Sequence, residues 1–189
     1  MPKQKAAFLV ILLVAAFLLG YSYFKNYYSS EGILEKVIIH DGYTLHQIKK
    51  PVTVEVYIKP EWIPFKNGKE KEVNIKLKEK NNTNIFLKDV INRKNDLYFS
   101  FTTTFNMSSN KGSFLYNEIF HEDGSFTDNL SPNDYYLYNN NHQKIEVGQV
   151  GQGPDSDFFF GITPDNYNLI KEGFYVKYSG FHLYKYSKD

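Results

Sequence analysis

The 189-residue chain contains no cysteine, and that absence excludes several kinds of protein. Disulfide-stapled scaffolds, thiol nucleophiles, cysteine-based zinc sites and lipid anchors attached to cysteine all require this residue. A domain of roughly 160 residues buries about two-thirds of the surface of its unfolded chain, so a core can form without disulfides. We therefore expect a fold that is held together by apolar packing.

The chain also lacks a charge excess and the motifs of nucleotide and hydrolase chemistry. Its 22 basic and 21 acidic residues give a formal net charge of +1, which offers no basic surface for nucleic acid. The glycine-rich run 148–153 (GQVGQG) matches neither a phosphate loop nor a dinucleotide fingerprint. No serine lies in a Gly-x-Ser-x-Gly elbow, and no His-Glu-x-x-His motif is present. These absences favour a protein that is not an enzyme and has no nucleic-acid partner.

What the chain does have is one long apolar stretch, from Ala6 to Phe24, without a charged residue. About 20 helical residues cross the hydrocarbon core of a bilayer, so residues 6–24 are predicted to form a transmembrane signal-anchor helix. Lys3 and Lys5 precede it, and basic residues favour the cytoplasmic side. We therefore expect a cytoplasmic tail, 1–5, and a single-pass protein of the cell membrane with its C-terminal part outside.

A cleaved signal peptide is the alternative interpretation of the same stretch. Gly20-Tyr21-Ser22 is a small-x-small triplet, and cleavage after Ser22 would give a secreted protein. The aromatic residues near this triplet suit the headgroup level of a membrane and favour an uncleaved anchor. Residues 25–32 are then predicted to be a short juxtamembrane tether, which keeps the domain 33–189 close to the membrane.

The rest of the chain is rich in aromatic residues and in short alternating runs. Sixteen Tyr, sixteen Phe and one Trp make up 17% of the chain, and such residues fit half-buried strands. Val52–Lys59 alternates apolar and polar side chains, which predicts a strand with one buried face. Leu97–Phe105 places apolar residues on one face and is predicted to be a central core strand. Asp123-Gly124 predicts the turn of a hairpin.

Three other segments carry specific predictions. Ile33–Ile48 predicts a hairpin, with a strand at Ile33–His40 and a turn at Asp41-Gly42. Ile85–Arg93 has apolar residues at helical spacing and predicts a short helix. Phe174–Tyr186 predicts two strands that meet at Ser179-Gly180.

About nine to eleven short strands separated by turns predict an all-β fold, an antiparallel β-sandwich of immunoglobulin-like architecture. The run 171–175 (KEGFY) resembles the D-x-G-x-Y run that precedes the tyrosine corner of immunoglobulin-type domains, with lysine in place of the acid. The resemblance covers these five residues and implies the architecture alone.

Loop carboxylates form the first set of candidate site residues. Asp123 and Asp128 lie in one acidic loop region, and Asp155 and Asp157 lie in another. Calcium prefers several hard oxygen ligands, so these four residues are candidate metal ligands, whereas Asp, Asn and Ser are also ordinary turn formers. The alternative function is a cell-envelope hydrolase, with or without calcium, in which two acids of the Glu122–Asp134 or Asp155–Asp157 loops flank a cleft.

Outward-facing aromatic residues form the second set. Tyrosine on a sheet face gives contact area with little entropy to lose, although tyrosines also pair with one another across strands. The predicted interaction surface comprises Tyr57, Trp62, Tyr98, Tyr135 and Tyr136.

The leading interpretation is a non-catalytic binding module of a bacterial cell envelope that recruits a protein or an envelope polymer. A third interpretation is an accessory subunit whose helix pairs with other membrane helices, but the apolar stretch has no Gly-x-x-x-Gly face.

Overall fold

The computed structural model describes residues 2–66 and 68–189, which form three α-helices and twelve β-strands. Met1, in the predicted cytoplasmic tail, and Asn67 lie outside the described residues. The helices are α1 (Pro2–Tyr28), α2 (Ser30–Ile38) and α3 (Tyr167–Ile170). The strands are β1 (Tyr43–Ile58), β2 (Glu70–Lys80), β3 (Thr83–Asn92), β4 (Leu97–Phe105), β5 (Lys111–Tyr116), β6 (Glu118–Phe120), β7 (Phe126–Asp128), β8 (Tyr135–Asn139), β9 (Lys144–Ile145), β10 (Val150–Gln152), β11 (Phe158–Ile162) and β12 (Phe174–Lys188).

The strands pair in antiparallel fashion in two five-stranded sheets and one two-stranded ribbon. In the first sheet, β12 pairs with β1 along one side and with β8 and β5 along the other, and β9 pairs with β8. The second sheet has the order β10-β11-β4-β3-β2, and β6 and β7 form the ribbon. The fold is thus mostly β with an apolar N-terminal helix. The central place predicted for Leu97–Phe105 is confirmed, because β4 pairs with both β3 and β11.

The main core contains buried side chains from both five-stranded sheets. Phe160 of β11 is fully buried, and its ring centroid lies 5.2 Å from that of Phe99 in the same sheet. Its ring also lies 5.7 Å from Tyr135 and 6.4 Å from Phe174, both in the first sheet. Aromatic rings at such separations attract one another beyond the effect of burial. The two sheets therefore share one aromatic core.

A second, smaller core cluster lies under α2. Ile33 and Val37 of α2 pack there with Phe114 of β5 and with Tyr184 and Tyr186 of β12. The predicted strand at Ile33–His40 is therefore wrong. Its apolar residues recur at a spacing that one helix face satisfies, and burial of that face against the sheet stabilises the helix.

Two further predictions are wrong because of β-bulges. The predicted helix at Ile85–Arg93 is instead part of strand β3, where the register shifts between Leu87 and Asp89. The extra residue places Leu87 and Val90 on the same buried face, a spacing that imitates a helix. The two strands predicted in Phe174–Tyr186 form one continuous strand, β12, and Ser179-Gly180 lies at a register shift opposite β1.

α1 is exposed from Phe8 to Tyr28 and continues almost directly into α2. The segment Phe8–Tyr28 of α1 is long enough and apolar enough to span a membrane or to serve as a signal sequence. The predicted tether, 25–32, is helical except for Ser29. The Ser29 hydroxyl donates to the carbonyl oxygen of Lys25 at 2.6 Å and accepts from the backbone N–H of Gly32 at 3.1 Å. We call residues 25–32 the helix joint.

Candidate functional site

The outer face of the first sheet carries four tyrosines on three neighbouring strands. Tyr57 of β1 pairs in register with Tyr175 of β12, and Tyr175 pairs with Tyr138 of β8. Tyr136 lies two residues before Tyr138, and side chains two residues apart point to the same face of a strand. These four residues are called the tyrosine face.

The rings of the tyrosine face lie side by side. Ring centroids are 4.8 Å apart for Tyr57 and Tyr175, 5.0 Å for Tyr175 and Tyr138, and 5.6 Å for Tyr138 and Tyr136. The His142 ring stacks on Tyr138 at 5.7 Å. Because β8 lies between β12 and the turn that carries His142, the Tyr138 ring is flanked on both sides and is only 8% exposed. The faces of the Tyr138 ring are therefore covered, whereas Tyr136 at the end of the row is 45% exposed.

One ion pair borders the tyrosine face. Lys177 Nζ lies 3.1 Å from a carboxylate oxygen of Glu55, its cross-strand partner, and 5.2 Å from the centre of the Tyr138 ring. A hydrogen bond with Glu55, and then the charge of Glu55, raise the pKa of Lys177. Burial, followed by the hydrogen bond with Glu55, raises the pKa of Tyr138. Both shifts favour the protonated forms, so a positively charged Lys177 lies beside a neutral Tyr138 phenol.

No family model, curated protein or solved structure matches the chain. The contacts of residues 171–175 also differ from those of the immunoglobulin-type tyrosine corner that their sequence resembles. The phenol that bonds to this run belongs to Tyr57, whose hydroxyl donates to the carbonyl oxygen of Glu172 at 2.8 Å.

The structure distributes the predicted interaction residues over several places. Tyr57 and Tyr136 belong to the tyrosine face, and Tyr136 is 45% exposed. Tyr98 is half-buried in the second sheet, where the Arg93 guanidinium lies 4.3 Å from its ring centre. Trp62 and Tyr135 are buried in the main core, so their placement on a surface is wrong. The physical reason for Tyr135 is strand alternation, which turns it inward while its neighbour Tyr136 points outward.

Sequence reasoning missed two members of the tyrosine face, Tyr138 and Tyr175. Tyr138 could have been found from the sequence, because it lies two residues after Tyr136 and side chains at this spacing share one face of a strand. Tyr175 joins the face because β12 pairs with both β1 and β8. That pairing depends on sheet register, which the order of residues along the chain does not show.

Two of the four candidate metal ligands, Asp157 and Asp123, accept hydrogen bonds within the protein. Asp157 accepts hydrogen bonds from the Thr102 hydroxyl at 2.7 Å and from the Thr103 backbone N–H at 3.2 Å. Asp123 accepts from the backbone N–H and the hydroxyl of Ser125. Asp128 and Asp155 are exposed. Within residues 2–66 and 68–189, no group of three or more His, Asp or Glu side chains is arranged to hold a metal ion. Calcium binding therefore stays a prediction.

Glu118 is a half-buried carboxylate in the ribbon, and its environment disfavours its charge. Burial raises the pKa of Glu118, and the negative charges of Asp128, its cross-strand partner, and of Asp155 raise it further. Ionised Glu118 therefore destabilises the folded state at neutral pH. We expect Glu118→Gln to raise the Tm by about 1–2 °C at pH 7. Thermal unfolding of the full chain, followed by circular dichroism, measures this shift.

The gain in Tm from Glu118→Gln should depend on pH. A carboxyl group with a raised pKa in the folded state binds its proton earlier as the pH falls, so the destabilisation disappears on acidification. At about pH 3, more than one unit below the ordinary glutamate pKa of about 4.3, Glu118 is protonated in both the folded and the unfolded chain, and the variant should melt at the wild-type temperature. Glu122→Gln, at an exposed position, is the matched control. A gain in Tm that persists unchanged at low pH would contradict the electrostatic origin.

Proposed function

We propose that the chain is a non-catalytic binding module of the cell envelope, anchored in the membrane by α1. Its two sheets form an antiparallel β-sandwich outside the membrane, and its N-terminus lies in the cytoplasm. The tyrosine face recruits a protein partner. The observation that supports this function is the contiguous row of four tyrosines on three adjacent strands, with Tyr136 the most accessible of the four. The shared aromatic core supports the sandwich, and the apolar α1 supports the membrane location.

A protein partner suits the tyrosine face better than a sugar polymer. Stacking of a sugar requires an open ring face, and the Tyr138 ring is flanked by Tyr175 and His142. Ring edges and phenol hydroxyls provide apolar contact and hydrogen bonds together, which is why tyrosine is enriched at protein interfaces. The ion pair between Lys177 and Glu55 adds a polar rim that can select and orient a partner.

Binding of envelope proteins to the full chain tests this function. The full chain is immobilised in lipid nanodiscs, and a detergent extract of the source cell envelope is passed over it. A partner that docks on the tyrosine face should be retained by the wild-type chain and bind about 30-fold more weakly to Tyr136→Ala, because truncation of an interface tyrosine removes about 2 kcal/mol at a hot spot. Affinities are measured on the retained protein after its purification.

The control for this experiment is Phe126→Ala, which removes another exposed aromatic ring, in the ribbon and away from the tyrosine face. The control variant should retain the partner with wild-type affinity. Equal losses in the two variants, or retention that Tyr136→Ala leaves intact, would contradict the proposal. Retention of a carbohydrate polymer that is lost in Tyr136→Ala would assign the face to a sugar ligand instead.

A further inference from the structure

A cleft with a volume of about 560 Å³ lies between α2 and the end of β4, away from the tyrosine face. One wall of the cleft is a side of α2, formed by residues that recur about one helical turn apart. The opposite wall comes from the last residues of β4, from the end of β5 and from the turn at 154–156. The residues of the lining that matter for binding are Glu31, Leu34, Glu35, Ile38, Phe105 and Asp155.

The lining combines an apolar floor with an acidic rim. Leu34, Ile38 and Phe105 contribute apolar surface, and Ile39 is 57% exposed at one end. The rim carries three carboxylates, on Glu31, Glu35 and Asp155, and no Lys, Arg or His lines the cleft. An apolar floor with this rim is complementary to a ligand that is both apolar and cationic.

The negative charge of the rim is not neutralised by the protein. The ion pairs found among the described residues do not include Glu31, Glu35 or Asp155. Of the three rim acids, Asp155 also affects a neighbouring group, the Tyr116 phenol. Burial raises the pKa of Tyr116 in the cleft wall, and the negative charges of Glu118 and Asp155 raise it further. A bound cation would therefore gain attraction without having to displace an existing partner.

The cleft also lies close to the point where α1 ends. Ser30 and Glu31 line it, and α1 ends at Tyr28. With α1 in a membrane, the cleft would be at the level of the membrane surface. Amphipathic cationic segments concentrate at that level, because their apolar face enters the boundary of the lipid and their basic face stays in water.

We propose that this cleft binds a cationic amphipathic helical segment of a peptide or protein at the membrane surface. Pockets of 300–1,000 Å³ suit compact ligands, and an amphipathic helix can lay its apolar face into such a groove through side chains one turn apart. Its Leu-type side chains fill the apolar floor, and its Lys or Arg side chains pair with Glu31, Glu35 and Asp155. The site is separate from the tyrosine face, so it goes beyond the function proposed above.

Peptide binding to the full chain in zwitterionic nanodiscs tests this proposal. The probe is a fluorescent amphipathic peptide of Lys and Leu, about 14 residues or four helical turns long. Fluorescence anisotropy is compared between loaded and empty nanodiscs, because the peptide also binds lipid by itself. We expect saturable binding to the loaded discs that weakens as salt is raised, since the Debye length falls from about 10 Å at 0.1 M to 3 Å at 1 M.

Variants of the rim separate charge recognition from apolar contact. Glu31→Gln combined with Glu35→Gln removes two exposed carboxylates and should weaken peptide binding about fivefold or more. The matched control is Glu70→Gln combined with Glu72→Gln, which removes two exposed charges at the end of β2 that is remote from the cleft. The control should bind the peptide as the wild-type chain does.

Several outcomes would overturn the proposal. Equal binding of a peptide in which Glu replaces Lys would show that charge does not select the ligand. Equal binding to loaded and empty discs would show that the protein contributes nothing. An affinity that neither the rim variant nor salt changes would assign the cleft to an apolar occupant such as a lipid chain. A loss of the same size in the control variant would attribute the effect to net charge and not to the cleft.

Discussion

Replacement of Phe160 by alanine is expected to destabilise the folded chain by about 3–5 kcal/mol. The ring is fully buried and contacts aromatic rings of both sheets, among them Phe99 and Tyr135. Its removal leaves a cavity at the junction of the sheets, and neighbouring rings that are held by strand pairing cannot collapse into it. A domain of this size typically has a stability of about 5–15 kcal/mol, so the loss is a large share of the whole.

Urea unfolding of the full chain in detergent micelles measures this loss. The chain has a single tryptophan, Trp62, and it is buried in the same core as Phe160, so its fluorescence reports on that core. The control is Phe126→Ala, at a position that is 57% exposed, and its stability should stay within about 0.5 kcal/mol of wild type. A loss below about 1 kcal/mol in Phe160→Ala would show that the two sheets do not depend on a common core.

Replacement of Gly32 by valine is expected to break the contact between α1 and α2 at the helix joint. A Cβ atom on Gly32 would lie 2.4 Å from the carbonyl oxygen of Lys25 and 2.8 Å from that of Asn26. Both are backbone atoms of α1, so they cannot rotate away as the end of a side chain can. Overpacking of this kind costs about 1–3 kcal/mol, and separation of the two helices is the way to relieve it.

Spin-label distances detect this change directly. Because the chain has no cysteine, Phe24→Cys in α1 and His46→Cys in β1 give two unique labelling sites at exposed positions. The wild-type background should give a narrow distance distribution, and Gly32→Val should broaden it. Gly20→Val is the matched control, since a Cβ atom on Gly20 meets nothing within 4 Å. A narrow distribution in Gly32→Val would mean that the joint accommodates the side chain without opening.

The parts of the fold that the sequence predicts well are those in which strands alternate without interruption. The apolar face of β4 and the turn at Asp123-Gly124 both follow from local rules, and the structure confirms them. The failures lie at β3 and β12, where one or two extra residues place buried side chains three apart. A bulge is decided by the partner strand, so the segment by itself resembles a helix or a pair of strands.

The helix α2 and the tyrosine face show a different limit. Residues 33–38 have apolar side chains that suit a strand as well as a helix, and the cluster formed with Phe114 and Tyr184 decides between them. For the tyrosine face, an outward Tyr57 and an outward Tyr136 follow from alternation. That Tyr175 joins them follows from sheet register alone. Contacts between segments distant in sequence therefore explain both the wrong prediction at α2 and the missing Tyr175.

The helix joint has a consequence for how a partner would find the tyrosine face. A flexible linker would let the β domain sweep a volume above the membrane and meet partners at many heights and angles. The helix joint is not a flexible linker of this kind. Ser29 forms hydrogen bonds with Lys25 and Gly32, and Lys36 lies over the Tyr27 ring. If α1 crosses a membrane, the domain turns only with its helix, about the membrane normal. The search then takes place in two dimensions, and the fixed height of the domain selects which partners can reach it.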